Sequence, residues 1–279
     1  MEEIRLIGLH PGWLKSLTAD CDNCCGLCCT ALCFSKTEGF PADKEAGKPC
    51  VNLTSEFRCG IHAELAKQKL KGCMAYDCLG AGQKVTQAVY GGLDWKALNE
   101  AAGQMFQVFL TVYRLHQMLW YLREASSIIC AQPLYGEINA LINENNELTR
   151  LSPDKILKTD IGTYKLKVDT ILKKAGGLVQ MAVNGSAASR HATDFFGKDF
   201  KRTDLSGKDF SLSLLIAADL RGCNLYGVNF LGADMRDANL DDTDLSQSVF
   251  LTQMQVNSAR GNRGTKLPPA LFKPTSWAN

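Results

Sequence analysis

Ten of the twelve cysteines in this 279-residue chain fall between Cys21 and Cys78. They run Cys21, Cys24, Cys25, Cys28 and Cys29, with Cys33 close behind, and then Cys50, Cys59, Cys73 and Cys78. Two C-x-x-C units can be read at the start, Cys21/Cys24 and Cys25/Cys28. That spacing lets two thiolates of one tight turn meet a single ion, and Gly26 permits the sharp backbone the turn needs. Four thiolates suit tetrahedral zinc and an iron–sulfur cluster alike. Disulfides and thiol redox chemistry are the other uses of such a run, since a metal or a helix terminus lowers a thiol pKa. The N-terminus, Met1-Glu2-Glu3-Ile4-Arg5, has no basic start followed by an apolar core, so no secretory signal is expected. A cytoplasmic location follows as an expectation, and there thiols stay reduced, which favours metal over disulfides.

The run resembles the zinc- or iron-chelating family with a CxxCxxCC-type signature. In that family a C-x-x-C-G-x-C-C core precedes a C-x-I-Y/H unit and two later cysteines. Here Cys59-Gly60-Ile61-His62, Cys73 and Cys78 fill the later places, over about residues 20–80. The core holds one extra residue, and Cys25 is read as the addition, with Cys24 as the ligand. Carried over position by position, the resemblance implies Cys21, Cys24, Cys28, Cys29, Cys50, Cys59, Cys73 and Cys78 as ligands of zinc or an iron–sulfur cluster. Cys33 is a substitute for any of them. Eight thiolates exceed one tetrahedral site, so either there are two sites or some of these cysteines only surround one. Gly80-Ala81-Gly82 reads as a tight turn leaving the site.

The second pattern is a period of five. From Phe195 to Phe250 every fifth residue is apolar, and the residue before it is Asp or Asn except at Leu214 and Val249. Two before it, from Ser213 onward, sits a small or compact residue. A period of five belongs to neither helix nor strand and marks a repeat architecture. A large and a small side chain buried every five residues require a corner each time, and the natural solution is a square solenoid of four pentads per coil. Units such as Ala218-Asp219-Leu220-Arg221-Gly222 resemble the pentapeptide-repeat family, which implies a right-handed quadrilateral β-helix of about three coils. Lys198 and Lys208 occupy small inward positions, where a charge is costly to bury unless the amine reaches solvent. Thr252 is placed to N-cap a short closing helix and Gly261 to end it. Beyond it, Leu271, Phe272 and Trp277 suggest a docked, extended tail.

Between the two patterns the chain reads as helices. Asp94 caps a first helix through Cys130, Pro133 starts a second to about Thr149, and Ser152-Pro153 starts a third that ends near Ala175. Leu157, Ile161, Tyr164, Val168, Ile171, Ala175, Leu178 and Ala182 form a heptad seam on the third. Tyr113, Trp120 and Tyr121 read as core, and His116 and Arg123 as satisfied or surface groups. The stretch from Met105 to Cys130 is interrupted by Arg114, His116, Arg123 and Glu124, so no membrane span is expected. The fold class expected is multidomain α+β: a cysteine-rich metal-binding module over 1–92, a helical bundle over 93–184, a linker at 185–191, a β-helix with its cap over 192–260, and a tail over 261–279.

A formal net charge of +2 gives no pull toward nucleic acid. No hydrolase triad, P-loop or Rossmann fingerprint occurs, which weighs toward a non-enzymatic role. The leading reading is a metal-binding scaffold that engages a protein partner through its repeats. An iron–sulfur or thiol redox enzyme is the alternative. A third reading, a DNA mimic acting on topoisomerases, follows from the pentapeptide resemblance. Ten Asp against six Lys/Arg between Asp194 and Phe250 leave a charge of −4, which Arg260, Arg263, Lys266 and Lys273 cancel, so this reading ranks last.

Overall fold

A computed structural model describes residues 6–8, 11–38, 40, 42–186 and 193–277. The linker expected at 185–191 lies outside the described residues from 187 onward. Eight α-helices are assigned among them: α1 (Leu27–Ala31), α2 (Lys71–Ala75), α3 (Ala81–Gln83), α4 (Ala102–Ala125), α5 (Tyr135–Leu148), α6 (Pro153–Leu157), α7 (Ile161–Asn184) and α8 (Gln253–Ser258). By spatial proximity the chain forms two units. One comprises Trp13–Trp120 and Leu141–Lys167, the other Met1–Gly12, Tyr121–Ala140 and Val168–Asn279.

The second unit holds the pentads, and ten of the twelve turn at one left-handed residue. Gly197, Arg202, Gly207, Leu212, Ala217, Gly222, Gly227, Gly232, Asp237 and Asp242 all have φ between 56° and 67°. A left-handed residue ends any extended run, and half of these positions use glycine, which adopts it without steric cost. The amide three residues after each central apolar residue returns to its carbonyl, as from Lys198 to Phe195 and from Ala218 to Leu215, both at 3.0 Å. The Asp or Asn preceding the apolar residue has a local task. Its Oδ1 accepts the backbone N–H two residues on, at 2.9 Å from Lys201 to Asp199 and 3.0 Å from Leu231 to Asn229. This side-chain turn explains why only those two residue types recur there.

One residue per pentad forms a ladder bridge, flanked by backbone bonds such as Phe200 N–H to the Asp219 carbonyl and Arg202 N–H to the Arg221 carbonyl. Isolated parallel bridges join Asp194 to Leu214, Asp199 to Asp219, and so on to Asn229 with Val249, always twenty residues apart. Among the described residues there is no β-strand and no sheet, and the regular structure is helical. The expected right-handed quadrilateral β-helix of three coils is therefore overturned, and the β part of the α+β class with it. The cause is the left-handed turn that recurs in ten of the twelve pentads, which keeps extended backbone too short to be a strand.

The interior is as regular as the turns. Phe210, Leu215, Leu220, Leu225, Phe230, Leu240, Leu245 and Phe250 are completely buried, and the small residues Ala218, Val228 and Ala238 fill the space between them. Two of the small polar residues at that same position bond to carbonyls, whereas the buried Ser213 hydroxyl does not. Thr243 Oγ1 donates to Leu220 (2.9 Å) and Ser248 Oγ to Leu225 (3.0 Å). Lys198 and Lys208 are exposed, so neither charge is buried.

Past Phe250, Thr252 and Gln255 form a reciprocal capping box that starts α8. The helix ends at Ala259 rather than at Gly261, whose role is different. A Cβ there would stand 2.7 Å from the ring of Trp277, so this glycine is the seat of the buried tail tryptophan. Leu271 is also buried, while Phe272 is 64% exposed. In the same unit the C-terminal half of α7 meets the pentads closely. A Cβ on Gly176 would lie 2.9 Å from Asn229 Nδ2, and one on Gly227 2.6 Å from Val183.

The helices differ from expectation at their ends. Asp94 Oδ1 accepts from Lys96 and Ala97, but Asn99 takes φ 48°, so α4 starts only at Ala102. The helix begun by Ser152-Pro153 stops at Leu157. Asp160 then caps a new one, accepting from Thr163 N at 3.0 Å, and α7 runs through Gly176 and Gly177 to Asn184. The seam is buried at Tyr164, Val168, Ile171 and Ala175, whereas Leu157 is 39% exposed.

The first unit is centred on α4. Met105, Val108, Phe109 and Val112 pack with Leu27 and Ala31 of α1, with Ala81 and Val85, and with Cys25 and Cys78. Trp13 meets Trp120 edge-on at 5.2 Å, and Tyr113 lies 5.6 Å from Tyr76. These aromatics are core, and the α4 face they share carries the cysteine loops.

Candidate metal centre

Twelve thiols are free, and all eight predicted ligands belong to the first unit. Cys21 is exposed in a 3-10 turn, Cys21–Asn23, whose amides Asp20 caps. Cys24 follows, its N–H returning to the Cys21 carbonyl at 3.3 Å. Gly26 then takes φ 70° and starts α1, which carries Cys28 and Cys29 on adjacent positions with their Sγ atoms 3.9 Å apart. A Cβ on Gly26 would meet Leu53 at 2.8 Å, so the site needs glycine for both conformation and space. Cys50 is tied to the same helix by its N–H donating to the Cys29 carbonyl (2.9 Å), and Cys59 bridges Leu53 two turns on. Cys73 lies on α2, and Cys78 is buried just before the turn into α3.

Cys25 turns the other way. Its N–H donates to Thr86 Oγ1 at 3.2 Å, its sulfur lies 3.3 Å from the same oxygen and 4.0 Å from the Met105 sulfur, and its carbonyl accepts from Trp95 Nε1. It is a core residue. Cys33 is exposed.

The two glycines after Cys78 do separate jobs. Gly80, at φ 73°, would drive a Cβ to 2.5 Å from the Ser16 carbonyl, so it makes the tight turn. Gly82 faces sulfur, for its Cβ would stand 2.7 Å from Cys24 Sγ and 3.9 Å from Cys78 Sγ.

Burial sets the electrostatics. It pushes the Cys24 and Cys73 thiols up to about 12 and also raises Cys21, Cys59 and Cys78. Within the adjacent pair, Cys28 is raised because it shares its proton with Cys29. Cys29 is lowered by that hydrogen bond and by the nearby Lys44 ammonium. Two cations serve the loops, and sequence reasoning passed over both. Lys44 Nζ donates to the Thr30 and Glu45 carbonyls at 3.0 Å, and Arg58 donates to the Cys24 and Asp22 carbonyls at 3.3 and 2.8 Å. Their signal was a lysine and an arginine set inside a cysteine run. The buried Tyr76 hydroxyl has no hydrogen-bond partner, and the thiols of Cys28 and Cys78 are among the groups acting on it.

The donor chemistry suits a thiophilic cation: soft sulfur from several loops, mostly protonated without a metal, with a lysine beside it. The thiols are gathered rather than closed. Among the described residues no three His, Cys, Asp or Glu side chains stand near enough to hold an ion as they are. Neither carboxylates nor imidazoles complete a set, and His62, beside Cys59, is exposed.

Comparison with known proteins bears on both ends of the chain. The pentapeptide-repeat family model matches residues 193–230 and 213–250, with eight copies, and leaves the cysteine loops outside the match. No solved structure matches the chain. The Uncharacterized protein YybG of Bacillus subtilis (strain 168) is 42% identical over 274 residues, covering 97% of this chain and 98% of that one. The chain, cysteine loops and pentads together, therefore belongs to the same family as YybG and carries pentapeptide repeats at its C-terminal end.

Proposed function

We propose that the protein is a metal-binding interaction scaffold. Its cysteine loops take zinc or an iron–sulfur cluster, and its pentapeptide repeats present a surface to a protein partner. One observation carries the metal half. Cysteines from five separate segments lie around one five-residue helix, α1, as free thiols, and burial holds Cys24 and Cys73 among them neutral. Buried neutral thiols are poor nucleophiles, whereas a bound cation releases their protons and offsets the charge that burial penalises. The repeats support the scaffold half. Their interior is filled by side chains, so variation is confined to outward positions, as suits a docking surface. Among the described residues no helix is long and apolar enough to cross a membrane.

The test is elemental analysis of anaerobically purified protein, together with its visible spectrum. Stoichiometric zinc with no colour, or iron with absorbance that bleaches on reduction, is the expected result, and the spectrum decides between them. Protein that retains neither metal after purification, and takes up neither on reconstitution, overturns the reading.

A further inference from the structure

Neighbouring positions on a helix point about 100° apart, even where, as here, their sulfurs touch at 3.9 Å. Cys28 and Cys29 are such a pair, and the other thiols divide according to which of the two they approach. On the Cys28 side stand Cys24 and Cys78, whose sulfurs flank the bare Cα of Gly82. Cys21 joins them through the turn it makes with Cys24. On the Cys29 side stands Cys50, bonded to the Cys29 backbone, and Cys59, held near Cys50 because Leu53 donates to the Cys50 carbonyl and bridges Cys59. Electrostatic neighbours follow this division except at Cys21, which feels Cys29 as well as acting on Cys78. Cys28 feels Cys24 and Cys78, while Cys73 feels Cys29, Cys59 and Cys50.

We propose that the cysteines form two separate thiolate centres that adjoin at the Cys28–Cys29 step: an inner one of Cys21, Cys24, Cys28 and Cys78, and an outer one of Cys29, Cys50, Cys59 and Cys73. The proposal rests on the metal-binding reading above and adds the number of centres and the members of each. Each centre takes one divalent thiophilic cation. Four S–H bonds release four protons to solvent as four metal–sulfur bonds form, and no oxidant or reductant is involved. Lys44, which acts on Cys29 and Cys50, offsets the charge of the outer centre. Gly82 gives the inner one its room, and the partnerless Tyr76 hydroxyl is a donor available to its sulfurs.

The test is anaerobic titration of the full-length, metal-stripped chain with Co(II), read by thiolate-to-cobalt charge transfer. Wild type takes up two equivalents. Cys59→Ser with Cys73→Ser retains one, and Cys24→Ser with Cys78→Ser retains the other, with different spectra. Gly82→Ala, which keeps every cysteine, also loses the inner equivalent and serves as a second arm if a serine variant fails to fold by circular dichroism. One equivalent in wild type that disappears in either serine variant means a single shared centre; it overturns the division and leaves the metal reading intact. No cobalt uptake by wild type removes the metal reading itself.

Discussion

His116 on α4 is buried, and its Nδ1 lies 2.6 Å from the Leu79 carbonyl. A carbonyl only accepts, so Nδ1 carries a proton, and burial of the ring favours its neutral form. Burial, with the charge of Lys84 nearby, depresses its pKa from 6.5 to about 4, against the Leu79 bond that favours the charged form. Between those values the unfolded chain binds a proton that the folded one refuses, so stability falls as pH falls. Linkage puts the loss at about 2 kcal/mol from pH 7 to pH 5 and about 3 kcal/mol by pH 4. His116→Asn retains an N–H toward Leu79 and cannot titrate. Urea unfolding of both proteins from pH 7 to pH 5, followed by the fluorescence of Trp13, Trp95 and Trp120 in the same unit, isolates the term, because every other titration cancels in the difference. The wild type should lose about 2 kcal/mol more than the variant. Parallel curves, or the His116 imidazole itself titrating near 6.5 by NMR, would refute the reasoning. The bond ties the turn after Cys78 to α4, so acid should loosen the cysteine loops first.

Three further outcomes are expected. Phe230→Ala should cost about 3–5 kcal/mol by denaturant unfolding, because the ring is fully buried within the stack, whereas Phe196→Ala, 68% exposed, should stay within about 0.5 kcal/mol. Thr252→Ala should cost about 1 kcal/mol by removing one side of the capping box, and Thr252→Ser should recover most of it. Cys25→Ala should leave metal content unchanged, since its sulfur faces Thr86 and Met105, and lost metal in a folded variant would contradict its exclusion from the ligands.

The pentads were legible down to single positions. Asp or Asn before each apolar residue is a turn-maker, and the small residue two before is a filler. Their backbone was not legible, because Arg202, Leu212, Ala217, Asp237 and Asp242 take left-handed turns where no glycine announces them. The helices could be located from apolar spacing, but the interruption between Leu157 and Ile161 depends on Asp160, a cap that competes with a continuous seam. The cysteines could be grouped by spacing alone. Which way each points depends on the phase of α1 and on contacts such as Gly82 with Cys24, which join residues 58 apart and leave no local trace.

The bridges also carry a count. Partners stand twenty residues apart from Asp194 to Val249, then Asn239 meets Arg260 and Asp244 meets Lys266, at intervals of 21 and 22. One extra residue comes with α8 and the second falls between Arg260 and Lys266, and they bring two cations into places held elsewhere by Asp, Asn, Leu or Val. Lys266 Nζ sits 2.9 Å from Asp244 there. The stack thus carries its own terminator: a further turn laid over Arg260 and Lys266 would find neither the side-chain turn nor the spacing that propagates the pattern. Because Leu6, Gly176 and Val179 each address particular pentads, at Gln247, Asn229 and Gly227, lengthening is quantised as well. Twenty residues inserted as a block would restore every pairing above the splice, whereas five would leave each of those contacts facing a stranger.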